Sequence, residues 1–327
     1  MNPTSSQGTT ELTPRDSVAS AGARYLDAER RLWESLGVEP RVRRLRLPHV
    51  GAEVRVQEIG DGPPLLFVHG GSTCGTSWAD LAASLPGRRC LLVDRPGTGL
   101  STAPAAPVRD VDALVRLADR FIPDVLDSLG VDGSAVVATS FGGWFALRTA
   151  LAAPNRVNRL VMLGWTAGAP VDRLPALLRL GLRPVIGDLL DRLPVNRSSV
   201  RAIFRGIGSG PAVADGRISA EAIDAYAALL RWTPTLRNDR SLGRLFFSAT
   251  AIDDRVVIPR EDRARIQIPI DWFWGGRDVF GGEAIARSFV APFPDLRLEI
   301  APEAGHAIWM DDLAGATAFV RSALSRP

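Results

Sequence analysis

The sequence predicts an α/β fold, a twisted and mostly parallel central sheet flanked by helices and interrupted by an inserted helical cap. Three observations carry that expectation. Short continuous apolar runs recur at residues 65–68, 91–93, 135–138, 160–163 and 272–274, and strands without polar alternation are those covered on both faces. Helical periodicity falls between them, at 110–129 and 143–152. From Gly164 to Ile270 the strand pattern gives way to amphipathic helical stretches.

Residues 1–20 are rich in Ser, Thr, Pro and Gly and read as a loose tail that cannot bury enough to order itself. Tyr25, Leu32, Trp33 and Leu36 then give one apolar face to a leading helix over 21–36, stopped by Gly37. Residues 41–47 and 52–59 alternate in character about a break at Gly51, which predicts an antiparallel pair with its arginines on a solvated face. The turn Gly60-Asp61-Gly62-Pro63-Pro64 leads into the first parallel strand, and Pro154 stops the helix that begins near 143. Within the insertion, 174–180 and 219–232 are helical, with Ser219 as an N-cap. A last strand over 296–300 precedes a terminal helix. The expected organisation is a tail (1–20), a core (21–168 and 265–327) and a cap (169–264).

A chain of 327 residues and 35.1 kDa accommodates one large core and a cap. The charge of +3 and pI of 9.4 come without a dense basic run interleaved with aromatics, so no nucleic-acid partner is expected. Every basic residue among the 39 is Arg; there is no Lys. A Walker-type phosphate loop, a Schiff-base lysine and pyridoxal phosphate chemistry each need an amine and are excluded. Cys74 and Cys90 lack CxxC spacing and read as reduced thiols. The first twenty residues hold no apolar leader core, and no run of 18 apolar residues occurs. A cytoplasmic enzyme without a membrane span is expected.

The chemistry centres on Val136-Val137-Ala138-Thr139-Ser140-Phe141-Gly142-Gly143, an apolar strand running into a helix with a serine at the junction. A serine on so sharp a turn projects its oxygen over the sheet's C-terminal edge, and the turn requires small neighbours two residues away on each side, met by Ala138 and Gly142. A serine alcohol needs an imidazole base. Of the three histidines, His49 reads as a surface or strand residue and His69 precedes a glycine loop suited to donating amides. His306 lies in Pro302-Glu303-Ala304-Gly305-His306, between the last strand and the terminal helix, and is the base candidate. The base in turn needs a carboxylate to fix its tautomer. Asp278, just past the run Trp272-Phe273-Trp274 in a Gly-led loop, fits. Asp271 falls at that strand's other end, and Asp311 and Asp312 read as exposed helix residues. The order Ser, Asp, His is that of α/β-hydrolases.

With Asp94-Arg95-Pro96-Gly97-Thr98-Gly99-Leu100-Ser101, which resembles the family's Asp-x-Pro-Gly-x-Gly-x-Ser turn, and with Pro154-Asn155-Arg156-Val157 after the serine helix, the chain resembles an α/β-hydrolase from about Arg41 to its C-terminus. The resemblance implies an oxyanion hole made by the amides of Gly71 and Phe141, with His69 and Gly70 shaping the loop. It implies a serine hydrolase acting on an ester, lactone or thioester of a small hydrophobic substrate, with no cofactor and no metal. Ala138 departs from the family's usual Gly, which bears on substrate class and not on the reacting groups. Ser72, Trp165, Phe204 and Phe246 are candidate pocket residues. Haloalkane dehalogenases and epoxide hydrolases of this architecture carry Asp where this chain has Ser140. Carbon-carbon bond hydrolases, peptidases, acyltransferases and cofactor-free haloperoxidases share the serine constellation and stay open, as does a non-catalytic ligand-binding protein.

Overall fold

The computed structural model describes residues 14–172, 174–190, 192–247 and 251–326. Its centre is an eight-stranded sheet in the order β1-β2-β4-β3-β5-β6-β7-β8. The strands are β1 (Arg41–Leu47), β2 (Ala52–Ile59), β3 (Pro64–Val68), β4 (Arg89–Val93), β5 (Ser134–Thr139), β6 (Val157–Thr166), β7 (Ile270–Gly275) and β8 (Leu296–Ala301). Only β1 with β2 and β2 with β4 are antiparallel; the remaining pairs are parallel.

Helices α1 (Pro14–Ser35), α2 (Ala79–Ala83), α3 (Val111–Leu129) and α4 (Ser140–Ala152) precede β6. Among the described residues, seven helices stand between β6 and β7: α5 (Ala176–Leu182), α6 (Pro184–Leu190), α7 (Arg197–Gly206), α8 (Gly210–Ala214), α9 (Ala220–Trp232), α10 (Thr235–Phe246) and α11 (Arg260–Arg265). After β7 come α12 (Glu283–Val290), α13 (Ile308–Asp311) and α14 (Leu313–Ser325).

The apolar runs follow from burial on both faces. Because side chains alternate across a strand, Leu66 and Val68 of β3 and Val136 and Ala138 of β5 enter one core with Phe121 and Phe145. Their neighbours Leu65, Phe67 and Val137 enter a second core with Trp78, Trp309 and Phe319 on the opposite face. Val68 pairs with both Val93 and Ala138. The loops leaving β3, β4 and β5 therefore emerge together at the carboxyl edge of the sheet, where open parallel sheets place their sites.

Three sequence expectations change. The leading helix starts at Pro14 rather than 21, since proline suits a first helical turn; the rest of the expected tail, 1–13, lies outside the described residues. The helix expected from 143 starts at Ser140, its first turn tolerating Gly142 and Gly143 because packing fixes them. Arg55 of β2 is not solvated: it is 2% exposed and forms a two-pronged ion pair with Glu29 of α1. Ser219 caps α9, its Oγ accepting from Ala222 N–H at 3.1 Å. Cys74 and Cys90 are free and buried. No helix among the described residues is long and apolar enough to cross a membrane.

Candidate active site

Ser140 stands where β5 passes into α4, and its φ of +51° puts a non-glycine residue in the left-handed region. Strain of that kind costs about 1–3 kcal/mol and persists only where the surroundings enforce it. Here the enforcement is visible. Ser140 O accepts from Ala167 N–H and from Thr166 Oγ1, both at 3.1 Å, pinning the turn to the end of β6. On the other side, a Cβ at Gly142 would collide with the carbonyl oxygens of Val68 and His69, so the turn admits no side chain there.

The loop after β3 crosses directly above the serine. A Cβ on Gly70 would lie 2.9 Å from Ser140 Cβ, and one on Gly71 would lie 2.7 Å from the Phe141 ring. Gly71 and Phe141 are thus neighbours. Among the described residues neither amide has an acceptor. His69 is fully buried and does not face the cavity: its Nε2 accepts from Arg95 N–H at 2.9 Å, which leaves the proton on Nδ1, 2.8 Å from Gly70 O. Burial, then the Arg95 charge, hold its imidazole well below the usual range and therefore neutral.

His306 lies in the loop after β8, and its Nδ1 is 2.8 Å from Asp278 Oδ2. Asp278 is 5% exposed and fully committed: Oδ2 also accepts from Trp165 N–H at 2.9 Å and Oδ1 from Phe280 N–H at 3.1 Å. The imidazole packs against Phe280 at 4.7 Å between ring centres, and Phe280 stacks on Trp165 at 4.9 Å. His306 N–H donates to Ile207 O at the end of α7, so the inserted helices brace this loop. Asp311, expected to be exposed, is buried and accepts from Gly305 N–H at 2.7 Å; desolvation raises its carboxyl above the ordinary range. Asp271 sits at the far end of β7, paired with Arg159 and Arg326. His49 occupies the β1–β2 turn, where its Nδ1 is hydrogen-bonded to Asp124 of α3.

Ser140 and His306 open into one cavity of about 520 Å³, roofed by the inserted helices and lined mainly by apolar side chains. Gly71 and Phe141, expected at the oxyanion hole, line it together with Ser72, Trp165 and Phe204 of the candidate pocket residues. Phe246 does not. It is 0% exposed and packs edge-on behind Phe141 at 4.5 Å and Trp144 at 4.8 Å, while its neighbour Phe247 forms the wall. Phe246 is the last residue of α10, whereas Phe247 leaves the helix in extended conformation and bridges Ile252, and hydropathy alone does not choose between two phenylalanines. Tyr226, Asp239 and Arg240 also line the cavity. No local pattern marks them, because their helices meet the site only in three dimensions. A groove of about 700 Å³ among α1, α7 and α9 is open surface, crossed by the Arg197–Asp224 and Arg31–Asp27 pairs, and holds none of these groups. Among the described residues no group of three or more His, Cys, Asp or Glu could hold a metal ion.

A mostly parallel sheet with a serine at the β5–α4 turn, a histidine after its last strand and helices inserted after β6 defines the α/β-hydrolase class. The chain belongs to the α/β-hydrolase fold family, whose model matches residues 63–313. It is 31% identical over 277 residues to polyketide synthase ThaQ of Burkholderia thailandensis, a match covering 81% of this chain and 12% of that protein. It is 34% identical over 128 residues to 2-hydroxymuconate semialdehyde hydrolase of a Pseudomonas species, covering 36% of this chain and 44% of that enzyme. In both cases the match spans under half of the relative. Among solved structures, naproxen esterase from Bacillus subtilis superposes with a TM-score of 0.73 at 19% identity, over 96% of this chain and 99% of that one.

Proposed function

We propose that this protein is a serine hydrolase that cleaves a carboxylic ester, lactone or thioester of a small hydrophobic substrate. The observation that carries the reading is a strained serine, φ +51°, opening into the same apolar cavity as a histidine whose far nitrogen is held by a buried, fully hydrogen-bonded aspartate. Ser140 Oγ attacks the carbonyl carbon as its proton passes to His306 Nε2. The carbonyl oxygen becomes an oxyanion facing the amides of Gly71 and Phe141. His306 then returns the proton to the departing alcohol or thiol, leaving an acyl group on Ser140. Water, deprotonated by His306, releases the acid and restores the hydroxyl. Asp278 holds the imidazole in the Nδ1–H tautomer and stabilises its charged form.

The apolar lining supports a hydrophobic acyl or alcohol moiety. The inserted helices act as a cap that encloses the substrate's hydrophobic part over Ser140 and His306. A fluorophosphonate probe tests the nucleophile: labelling is expected at Ser140 and lost in Ser140→Ala, and equal labelling of the variant overturns the assignment. The same machinery serves carbon-carbon cleavage, a reading supported by the likeness to 2-hydroxymuconate semialdehyde hydrolase. Product masses from matched esters, lactones and vinylogous diketones separate the two, with turnover of the diketone alone deciding for carbon-carbon chemistry.

A further inference from the structure

We propose that the buried ion pair between Arg95 and Asp239 is a positioning pair that aims the Gly71 amide at the oxyanion, so that the hole is complete only when α10 is seated on the core. The proposal rests on the serine-hydrolase reading above. Arg95 leaves the end of β4 and Asp239 belongs to α10; their side chains are 1% and 2% exposed. Arg95 Nη2 donates to both carboxylate oxygens of Asp239, at 3.0 and 2.9 Å.

What the pair grips on its inner side is the loop above Ser140. Arg95 Nη2 also donates to Gly70 O at 2.8 Å, and Arg95 Nε donates to His69 O at 3.1 Å. Asp239 Oδ2 accepts from Ser72 N–H at 2.6 Å. Gly71 is thus flanked by two peptide groups, each held by one member of the pair. The peptide geometry makes the grip directional. Gly70 C=O and Gly71 N–H belong to one planar trans unit and point in opposite directions. Holding the carbonyl toward Arg95 therefore fixes where the Gly71 N–H is aimed. Neutral His69 Nδ1–H and Thr73 Oγ1 hold the same carbonyl, at 2.8 and 3.0 Å.

Ser72 adds a second sign of constraint. Its φ of +54° is left-handed, a conformation a serine keeps only when something holds it, and the Asp239 carboxylate does so. The Arg95 guanidinium also lies 5.7 Å from the centre of the Phe141 ring, so one side chain touches both sides of the hole. Around the pair, Asn238 Nδ2 donates to Gly97 O at 2.8 Å and Gly99 N–H to Thr235 Oγ1 at 2.9 Å, seating the start of α10 on the loop that carries Arg95.

Two variants test it, with kcat expressed per active site titrated by a fluorophosphonate. Asp239→Asn keeps the size and an acceptor for Ser72 but removes the charge that Arg95 spans. It is expected to lower kcat per site on the order of 10²-fold, as loss of one oxyanion donor does, with KM little changed. Affinity for a trifluoromethyl ketone, whose adduct carries the oxyanion, falls by a similar factor. The double variant Arg95→Met/Asp239→Leu removes both charges, a replacement that buried ion pairs commonly tolerate in folding. The same deficit is expected in it at wild-type-like thermal stability. A pair that only held the fold together would reduce the number of titratable sites or Tm yet leave kcat per site and ketone affinity at wild-type values, and that result overturns the proposal. If the wild-type chain is not labelled at Ser140, the nucleophile reading falls and the positioning role with it; labelled wild type beside variants of unchanged kcat per site removes the positioning role alone.

Discussion

Asp278 and His306 meet through an oxygen that is also tied to the sheet: Oδ2 takes His306 Nδ1 at 2.8 Å and the backbone N–H of Trp165 at 2.9 Å. With Oδ1 engaged by Phe280 N–H, the carboxylate faces only donors. An asparagine has one oxygen, so Asp278→Asn must turn its NH₂ group toward a donor or toward the imidazole. Loss of the Nδ1–H tautomer is expected to lower kcat by about 10³–10⁴-fold. Steady-state kinetics on a p-nitrophenyl ester, with folding checked by circular dichroism, measure this; a loss under about tenfold contradicts the orienting role.

The strain at Ser140 has a stability signature. Glycine adopts φ near +51° freely and alanine does not, so Ser140→Gly is expected to exceed Ser140→Ala in urea-unfolding free energy by about 1 kcal/mol, both being inactive. Equal stability of the two variants shows that the turn holds no such strain.

Phe246 and Phe247 are adjacent and do different work. Truncating the fully buried Phe246 removes the backing of Phe141 and Trp144 and is expected to cost about 3–5 kcal/mol. Phe247→Ala is expected to shift the preferred acyl length upward at a smaller cost in stability, because it enlarges the cavity wall. Denaturant melts and kcat/KM across acyl esters from acetate to decanoate check both halves. A change of chain-length profile in Phe246→Ala and none in Phe247→Ala would reverse the placement.

Asp94 gives a pH dependence. Its fully buried carboxyl, 1% exposed, is pushed up to about 6, foremost by desolvation, against which the Arg55 charge and the amides of Leu100 and Gly75 work. Between its ordinary value of 3.8 and about 6 the folded chain keeps a proton that the unfolded chain has lost. That binding stabilises the fold at low pH and is lost as pH rises through about 6. The stability of wild type relative to Asp94→Asn is therefore expected to fall by about 2–3 kcal/mol between pH 4 and pH 7 and to stay level above that. Urea midpoints of the two proteins across this range report it. A difference independent of pH shows that Asp94 does not titrate there.

The sequence alone determined what depends on local order along the chain. A strand covered on both faces must be an apolar run, so the parallel strands were legible. So was the tight strand-to-helix junction at Ser140, because only small residues fit at 138 and 142. His306 and Asp278 each stand just after an apolar or strand-like run, and the chain holds only three histidines, so both were legible as well. Tertiary structure decided whatever depends on which surfaces meet. It turned Phe247 rather than Phe246 toward the cavity, placed Arg55 against Glu29 of α1 instead of in solvent, and buried Asp311 beneath the His306 loop. It also joined Arg95 to Asp239, 144 positions apart. Hydrophobic periodicity reports burial of a chain segment against an unspecified neighbour; the identity of that neighbour, and with it the pairing of buried charges, exists only once the helices have packed onto the sheet.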